Sequence, residues 1–197
     1  MTTTSAPWDP KQAWRQFRLE AEASKYYPQS YALYIGQTHR DILLERLLPT
    51  LLHIKAVAIM DDSLDVWLAS NGRSLTKPYS DNLFGRLEYM KDNSLLADVD
   101  LLHQIRERRN DFAHESGVYC DWAILEEDVT SIEKALLSLS LVRPTAQLAY
   151  FAERSAMEGS SEPGVSFSRT FRFGVKEAGT PGLEISWVQK IMQDKAE

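Results

Sequence analysis

Apolar residues recur at intervals of three and four along most of the chain and at intervals of two near its C-terminus, a change from a helical to a strand period. Residues 11 to 27 carry Ala13, Trp14, Phe17, Ala21 and Tyr27 among charges, behind a Pro10 suited to a first helical turn, and predict one amphipathic helix. Thr38 is the expected cap of a second helix running to about Ser70, where Asn71-Gly72 ends it. A bend is expected at Pro49, which lacks an amide donor and crowds the preceding turn. After Lys77-Pro78-Tyr79, Ser80 is the expected cap of a short helix holding Leu83, Phe84, Leu87 and Met90 and closed by Asp92-Asn93. Asp98 or Asp100 opens a helix with Leu101, Leu102, Ile105 and Phe112 on its apolar side, which runs to about His114 with Gly117 marking a stop. Asp121 caps a fifth helix whose Ile124, Leu125, Val129, Ile132, Leu136, Leu139 and Leu141 form a broad buried face until Arg143-Pro144. Residues 145 to 157 are expected to add a turn or two.

The period then shortens. Gly159 to Gly164 is a turn-rich break, and Val165 to Phe173 alternates large apolar with polar residues. Glu177 to Gly182 can turn the chain back into Leu183 to Val188, which predicts a β-hairpin. A lone hairpin is marginal, so it must pack on the helices or pair across a dimer. The expected architecture is mainly α, an antiparallel helical bundle over residues 1–157 with a C-terminal hairpin appendage over 158–197.

Composition narrows the function classes. The chain is long enough, at 197 residues, to bury its own core, and a single cysteine, Cys120, rules out an internal disulfide framework. The N-terminus lacks the basic and apolar regions of a signal peptide, so a cytoplasmic protein is expected. Glu45, Arg46, Pro49, His53 and Lys55 interrupt the most apolar stretch, which argues against a membrane span. The net charge of −6 supplies no general attraction for nucleic acid, so any RNA contact must come from local charge.

That local charge lies in Ile105-Arg-Glu-Arg-Arg-Asn-Asp-Phe-Ala-His-Glu115. At about 3.6 residues per turn, Arg106, Asn110 and His114 share one side of a helix. Arg109 points about 140° away from His114, between Ile105 and Phe112, and meets it only if the helix ends between them or a second subunit supplies the partner. The set suits metal-independent RNA cleavage. A histidine moves protons near neutral pH, as acid or base, and an arginine presents a fixed fork of donors to a phosphate that gains charge. Asn110 can orient either the histidine or the phosphate, and Arg106 and Arg108 are candidates for backbone contacts with RNA. His103, Glu107 and His114 lack the further ligands that a metal site needs, so no metal or other cofactor is expected. Asp61, Asp62 and Asp65 lack the glycine and spacing of a calcium loop and read as an exposed helix face, and Cys120 adjoins no base.

Arg109, Asn110 and His114 resemble the signature of the HEPN family: an arginine, a polar neighbour, three or more residues, then a histidine. The flanking long helices are similar too, and roughly residues 30 to 142 would form the family core. Phe84-Gly-Arg-Leu-Glu88 loosely resembles a segment of the branch that includes mannitol-operon repressor-like proteins. The resemblance implies an antiparallel bundle, usually a homodimer, in which motifs from two subunits face each other across a cleft and cut single-stranded RNA. Many members are toxins or defence effectors. Some pair with a nucleotidyltransferase antitoxin that modifies a tyrosine two residues beyond the histidine. Here that position is Ser116 and the nearest tyrosine is Tyr119, so this chain departs from that pairing.

Two functions compete on these residues. In the first the protein is an endoribonuclease with Arg109, Asn110 and His114 as its catalytic set, acting as a toxin or defence effector with or without an antitoxin or other protein partner. In the second it is a non-catalytic adaptor or regulator, whose motif holds a dimer or a protein partner together. A DNA-binding regulator has no basic recognition helix to support it.

Overall fold

The computed structural model describes residues 8–31, 42–144, 148–154, 167–177 and 183–191. Contacts divide the chain into a first unit, Met1–Pro144, and a second, Thr145–Glu197. The first unit is helical, as the apolar periodicity predicts. Its helices are α1 (Pro10–Tyr31), α2 (Leu48–Ser70), α3 (Leu83–Asp92), α4 (Val99–His114) and α5 (Trp122–Ser138). None of the described helices is long and apolar enough to cross a membrane.

The expected cap Thr38 lies outside the described residues. At Pro49 the chain answers the missing donor with a change of hydrogen-bond pattern. Leu43–Leu47 form a π-helical turn that leads straight into α2, and the Leu48 N–H bonds back to the Leu43 carbonyl. In that wider pattern the partner of the Leu44 carbonyl would be the amide of residue 49, which proline does not have. The indole N–H of Trp122 takes the place, donating to the Leu44 carbonyl at 3.1 Å and tying α5 to the π turn.

Asn82, and not Ser80, caps α3. The Asn82 Oδ1 accepts the Gly85 N–H at 3.0 Å, and Ser80 donates its hydroxyl to the same oxygen. The Ser80 backbone passes so close that a Cβ on residue 85 would stand 2.0 Å from its carbonyl oxygen, which is why a glycine sits there. Asp98 opens α4 but does not cap it; its carboxylate reaches Lys134 at 2.8 Å instead. Asp121 caps α5 as expected, accepting the Ile124 N–H at 2.8 Å. Helix α5 ends at Ser138, short of the expected Leu141, because Ser140 turns left-handed (φ 58°) and the Leu141 N–H reaches back to the Leu136 carbonyl.

The core gathers from all five helices. Trp14 and Phe17 of α1, Met60 and Leu64 of α2, Leu87 and Met90 of α3, Leu102 and Ile105 of α4, and Ile132 and Leu136 of α5 are fully buried. Each such large side chain contributes about 1.5–3 kcal/mol on leaving water. In the second unit β1 (Leu148–Arg154), β2 (Phe167–Glu177) and β3 (Leu183–Ile191) are antiparallel in the order β1-β2-β3. Phe171 pairs with Trp187, and Phe173 with Ala152 and Ile185. A strand therefore occupies 148–154, where further helix is expected. The predicted break at 159–164 and the turn at 178–182 lie outside the described residues.

Candidate functional site beside the motif helix

Helix α4 carries the motif unbroken from Val99 to His114. One side of it forms the wall of an open cleft of about 230 Å³. Arg106, Arg109 and Asn110 line that wall. Helix α2 supplies Val57, Ala58 and Asp61 to the cleft, and the start of α3 supplies Leu83, Phe84 and the cap residue Asn82. Arg109 donates from Nη1 to the Asn110 side-chain oxygen at 3.1 Å, so two of the three signature residues are joined. Arg106 lies over the Phe84 ring, 5.2 Å from its centroid, and donates to Glu107 at 3.0 Å. The Nε atoms of Arg106 and Arg109 are both buried without a hydrogen-bond partner among the described residues.

His114 is not in that lining. It is exposed in the last turn of α4, where Glu115 turns extended and donates its N–H to the Asp111 carbonyl at 2.8 Å. Because the helix does not break between them, Arg109 and His114 keep the separation of about 140° that helical geometry gives five positions. A single protomer thus presents the guanidinium in a cleft and the imidazole at a helix end. The segment beyond the motif places exposed Tyr119 under Arg46, whose guanidinium carbon is 5.9 Å from the ring centroid.

Arg108, expected among the RNA contacts, is held elsewhere. It grips Asp128 of α5 with two donors, Nε to Oδ2 at 2.9 Å and Nη2 to Oδ1. The same carboxylate accepts from His53 of α2 at 2.8 Å, and both His53 and Asp128 are buried. Burial alone would raise the Asp128 carboxyl, but the hydrogen bonds from His53 and Arg108, with the Arg108 charge, hold it below its ordinary value. An ionised carboxylate only accepts, so Nε2 of His53 carries the proton in this pair. The His53 ring also meets Phe112 of the motif edge-on at 5.0 Å. One carboxylate in this way fixes α4 against α2 and α5. The signal for it was a charge at an apolar position, since Asp128 falls between Leu125, Val129 and Ile132 in the α5 repeat.

The acidic group of α2 is likewise engaged. Asp62 and Asp65 are exposed, as expected, while Asp61 is half-buried, and Arg86 donates to Asp61 at 2.7 Å, to Asp65 at 3.1 Å and to Asp81, just before α3, at 2.9 Å. Burial pushes the Asp61 carboxyl up against the opposing pull of Arg86. Glu88 stands 2.8 Å from His103 of α4. The Phe84 to Glu88 segment is thus accounted for by its contacts with its neighbours. Cys120 is buried, and burial pushes its thiol up to about 12, which suits an inert side chain. No cluster of three or more His, Cys, Asp or Glu side chains among the described residues is arranged to hold a metal ion.

No protein-family model, no curated protein and no solved structure matches the chain.

Proposed function

We propose that this protein is a metal-independent endoribonuclease of the HEPN type, working in the cytoplasm as a homodimer on single-stranded RNA, as a toxin or defence effector. The observation that carries the proposal is a guanidinium and amide facing an open cleft, on the same helix that ends in an exposed imidazole. In a dimer, His114 of one protomer would meet Arg109 and Asn110 of the other. One histidine takes the 2'-hydroxyl proton as the 2'-oxygen bonds to phosphorus. The bond from phosphorus to the 5'-oxygen breaks, and a histidine returns a proton to that oxygen. Arg109 donates to the phosphate oxygens as their charge grows, and Asn110 orients that guanidinium. The C-terminal hairpin of β2 and β3, to which β1 adds a third strand, belongs to the same proposal as the appendage of a HEPN-like bundle.

Incubating a defined single-stranded RNA with the purified full chain in excess chelator tests the enzyme. The expected products carry a 2',3'-cyclic phosphate and a 5'-hydroxyl, and His114→Ala should lower cleavage by at least about a hundredfold without changing the melting temperature. Equal cleavage by wild type and His114→Ala would remove the histidine from the reaction, and no cleavage at any enzyme concentration would sink the nuclease.

One observation favours the adaptor as a second reading. Arg108, next to the motif, is committed to a pair with the buried Asp128, so at least one arginine of this stretch serves the fold. An adaptor would lose dimerisation or stability with Arg109→Ala and show no cleavage.

A further inference from the structure

The cleft beside α4 has a chemistry of its own that an anion site does not need. A phosphate wants donors and water around it. This cleft also offers apolar walls, Val57, Ala58 and Leu83, and a Phe84 ring that is 47% exposed although it is a large hydrocarbon surface. The Arg106 guanidinium lies 5.2 Å from the ring centroid and the His103 ring stands tilted against it at 5.2 Å, so Phe84 is already part of a stack whose exposed portion a flat partner can extend. Stacking of this kind is indifferent to sequence, because every base has a π-face.

The polar atoms at the rim are of both kinds. Arg106 and Arg109 line the cleft and bring guanidinium donors to it. The Asn82 side-chain oxygen is occupied by Gly85 and Ser80, which leaves its amide nitrogen as the donor it can offer. Against these stands one carboxylate, Asp61, which Arg86 engages at Oδ1. Donors from Arg106, Arg109 and Asn82 together with a carboxylate acceptor match a ring that carries both acceptors and adjacent N–H groups. Among the four bases, guanine alone offers adjacent N1–H and N2–H₂ donors to a carboxylate together with O6 and N7 acceptors for arginine.

We propose that this cleft is a recognition subsite for a single guanine of the RNA, in which Phe84 and Arg106 stack the base and Asp61 reads its donor edge. The proposal rests on the ribonuclease reading in so far as that brings RNA to α4, with Arg109 and Asn110 at the boundary between base and phosphate. The pocket lies within one protomer, so it can be probed with a free nucleotide as well as by cleavage.

The experiment is calorimetric titration of the full chain with the 3'-monophosphates of guanosine, adenosine, cytidine and uridine and with inorganic phosphate, beside mapping of cleavage on an RNA containing all four bases. Guanosine 3'-monophosphate is expected to bind at least about tenfold tighter than the other nucleotides, and cleavage to cluster next to guanine. Asp61→Asn should remove that preference, and Asp65 and Asp81 remain to hold Arg86 so that the fold survives. Phe84→Ala, at an exposed ring, should weaken all four nucleotides together. Equal affinity for the four nucleotides, or for phosphate and nucleotide alike, overturns the subsite. Cleavage without base preference overturns it while leaving the nuclease standing, and selective guanosine binding without cleavage supports the subsite and sinks the nuclease.

Discussion

Asp128 occupies a position in α5 that the helical repeat assigns to the core, yet it is the group on which the motif helix hangs. A buried carboxylate is costly unless its oxygens are satisfied, and here His53 and Arg108 supply three donors to two oxygens. Because its folded pKa is held below the ordinary carboxylate value, the pair's contribution is complete above about pH 4 and is lost as the pH falls through the lower folded value. Asp128→Asn should therefore cost roughly 2 kcal/mol at neutral pH, less than for a fully buried pair because the Arg108 side chain is 35% exposed. Urea titrations of both proteins from neutral to strongly acid pH should show that difference shrinking towards zero as wild-type Asp128 protonates. A difference that stays constant with pH would mean that the charge does not matter and only the shape of the side chain does.

Three of the helices stop in the same way, and only one of the stops is marked by its residue type. After α2, α3 and α5 the chain places Gly72, Ser94 and Ser140 in the left-handed region, with the following N–H bonded back to Leu68, Met90 and Leu136 respectively. Glycine adopts that conformation freely, whereas serine pays about 1 kcal/mol for it. Ser140→Gly should raise the stability of the protein by about 1 kcal/mol and Gly72→Ala should lower it by a similar amount, both read from denaturant midpoints. If Ser140→Gly is neutral or destabilising, a side-chain contact of Ser140 outweighs the backbone gain.

These ends also show which parts of the molecule can be read without coordinates. Apolar stripes, the Asp121 cap and the Asn71-Gly72 stop are local, and each lies within a few residues of the structure it dictates. Ser80 and Asn82 were equally competent caps, and the choice fell to a backbone crossing at Gly85 that no local pattern reveals. Pro49 announced a disturbance, but the form it took depended on Trp122, far along the chain, offering a donor to the Leu44 carbonyl. At 148–154 the apolar spacing was too short to separate a helical turn from a strand, and pairing with β2 decided it. Within the candidate site, periodicity put Arg106 and Asn110 on one side together with His114 and set Arg109 apart on the apolar stripe, whereas the cleft takes Arg106, Arg109 and Asn110 and leaves His114 out. Phe84, Asp61 and Asn82 reach the same cleft from elsewhere, and the His53–Asp128 contact joins positions 75 apart.

On the scale of the whole molecule, a net charge of −6 leaves local arginines to hold any RNA, and one protomer keeps its guanidinium and its imidazole apart. Under the proposed ribonuclease a second copy brings them together, and the exposed apolar side chains of the helical unit are where such a contact is to be tested. Leu43, Leu47 and Leu51 follow one another along the π turn and α2, with Leu51 62% exposed, and Val118 and Tyr119 just beyond the motif are exposed as well. Under the proposed dimer these residues, close in sequence to His114 on one side and to the cleft residues Val57 and Ala58 on the other, are the ones to test as a contact between copies. Leu51→Glu places a charge among them at an exposed position, where the protomer itself should still fold. Light scattering should then report a monomer, and cleavage should fall by at least about a hundredfold because the imidazole no longer reaches the phosphate. Binding of guanosine 3'-monophosphate should persist, since every group proposed to hold the base comes from one protomer. An unchanged oligomeric state with full cleavage would remove these residues as the interface; a monomer that still cuts RNA would show that Arg109 and His114 need no second copy.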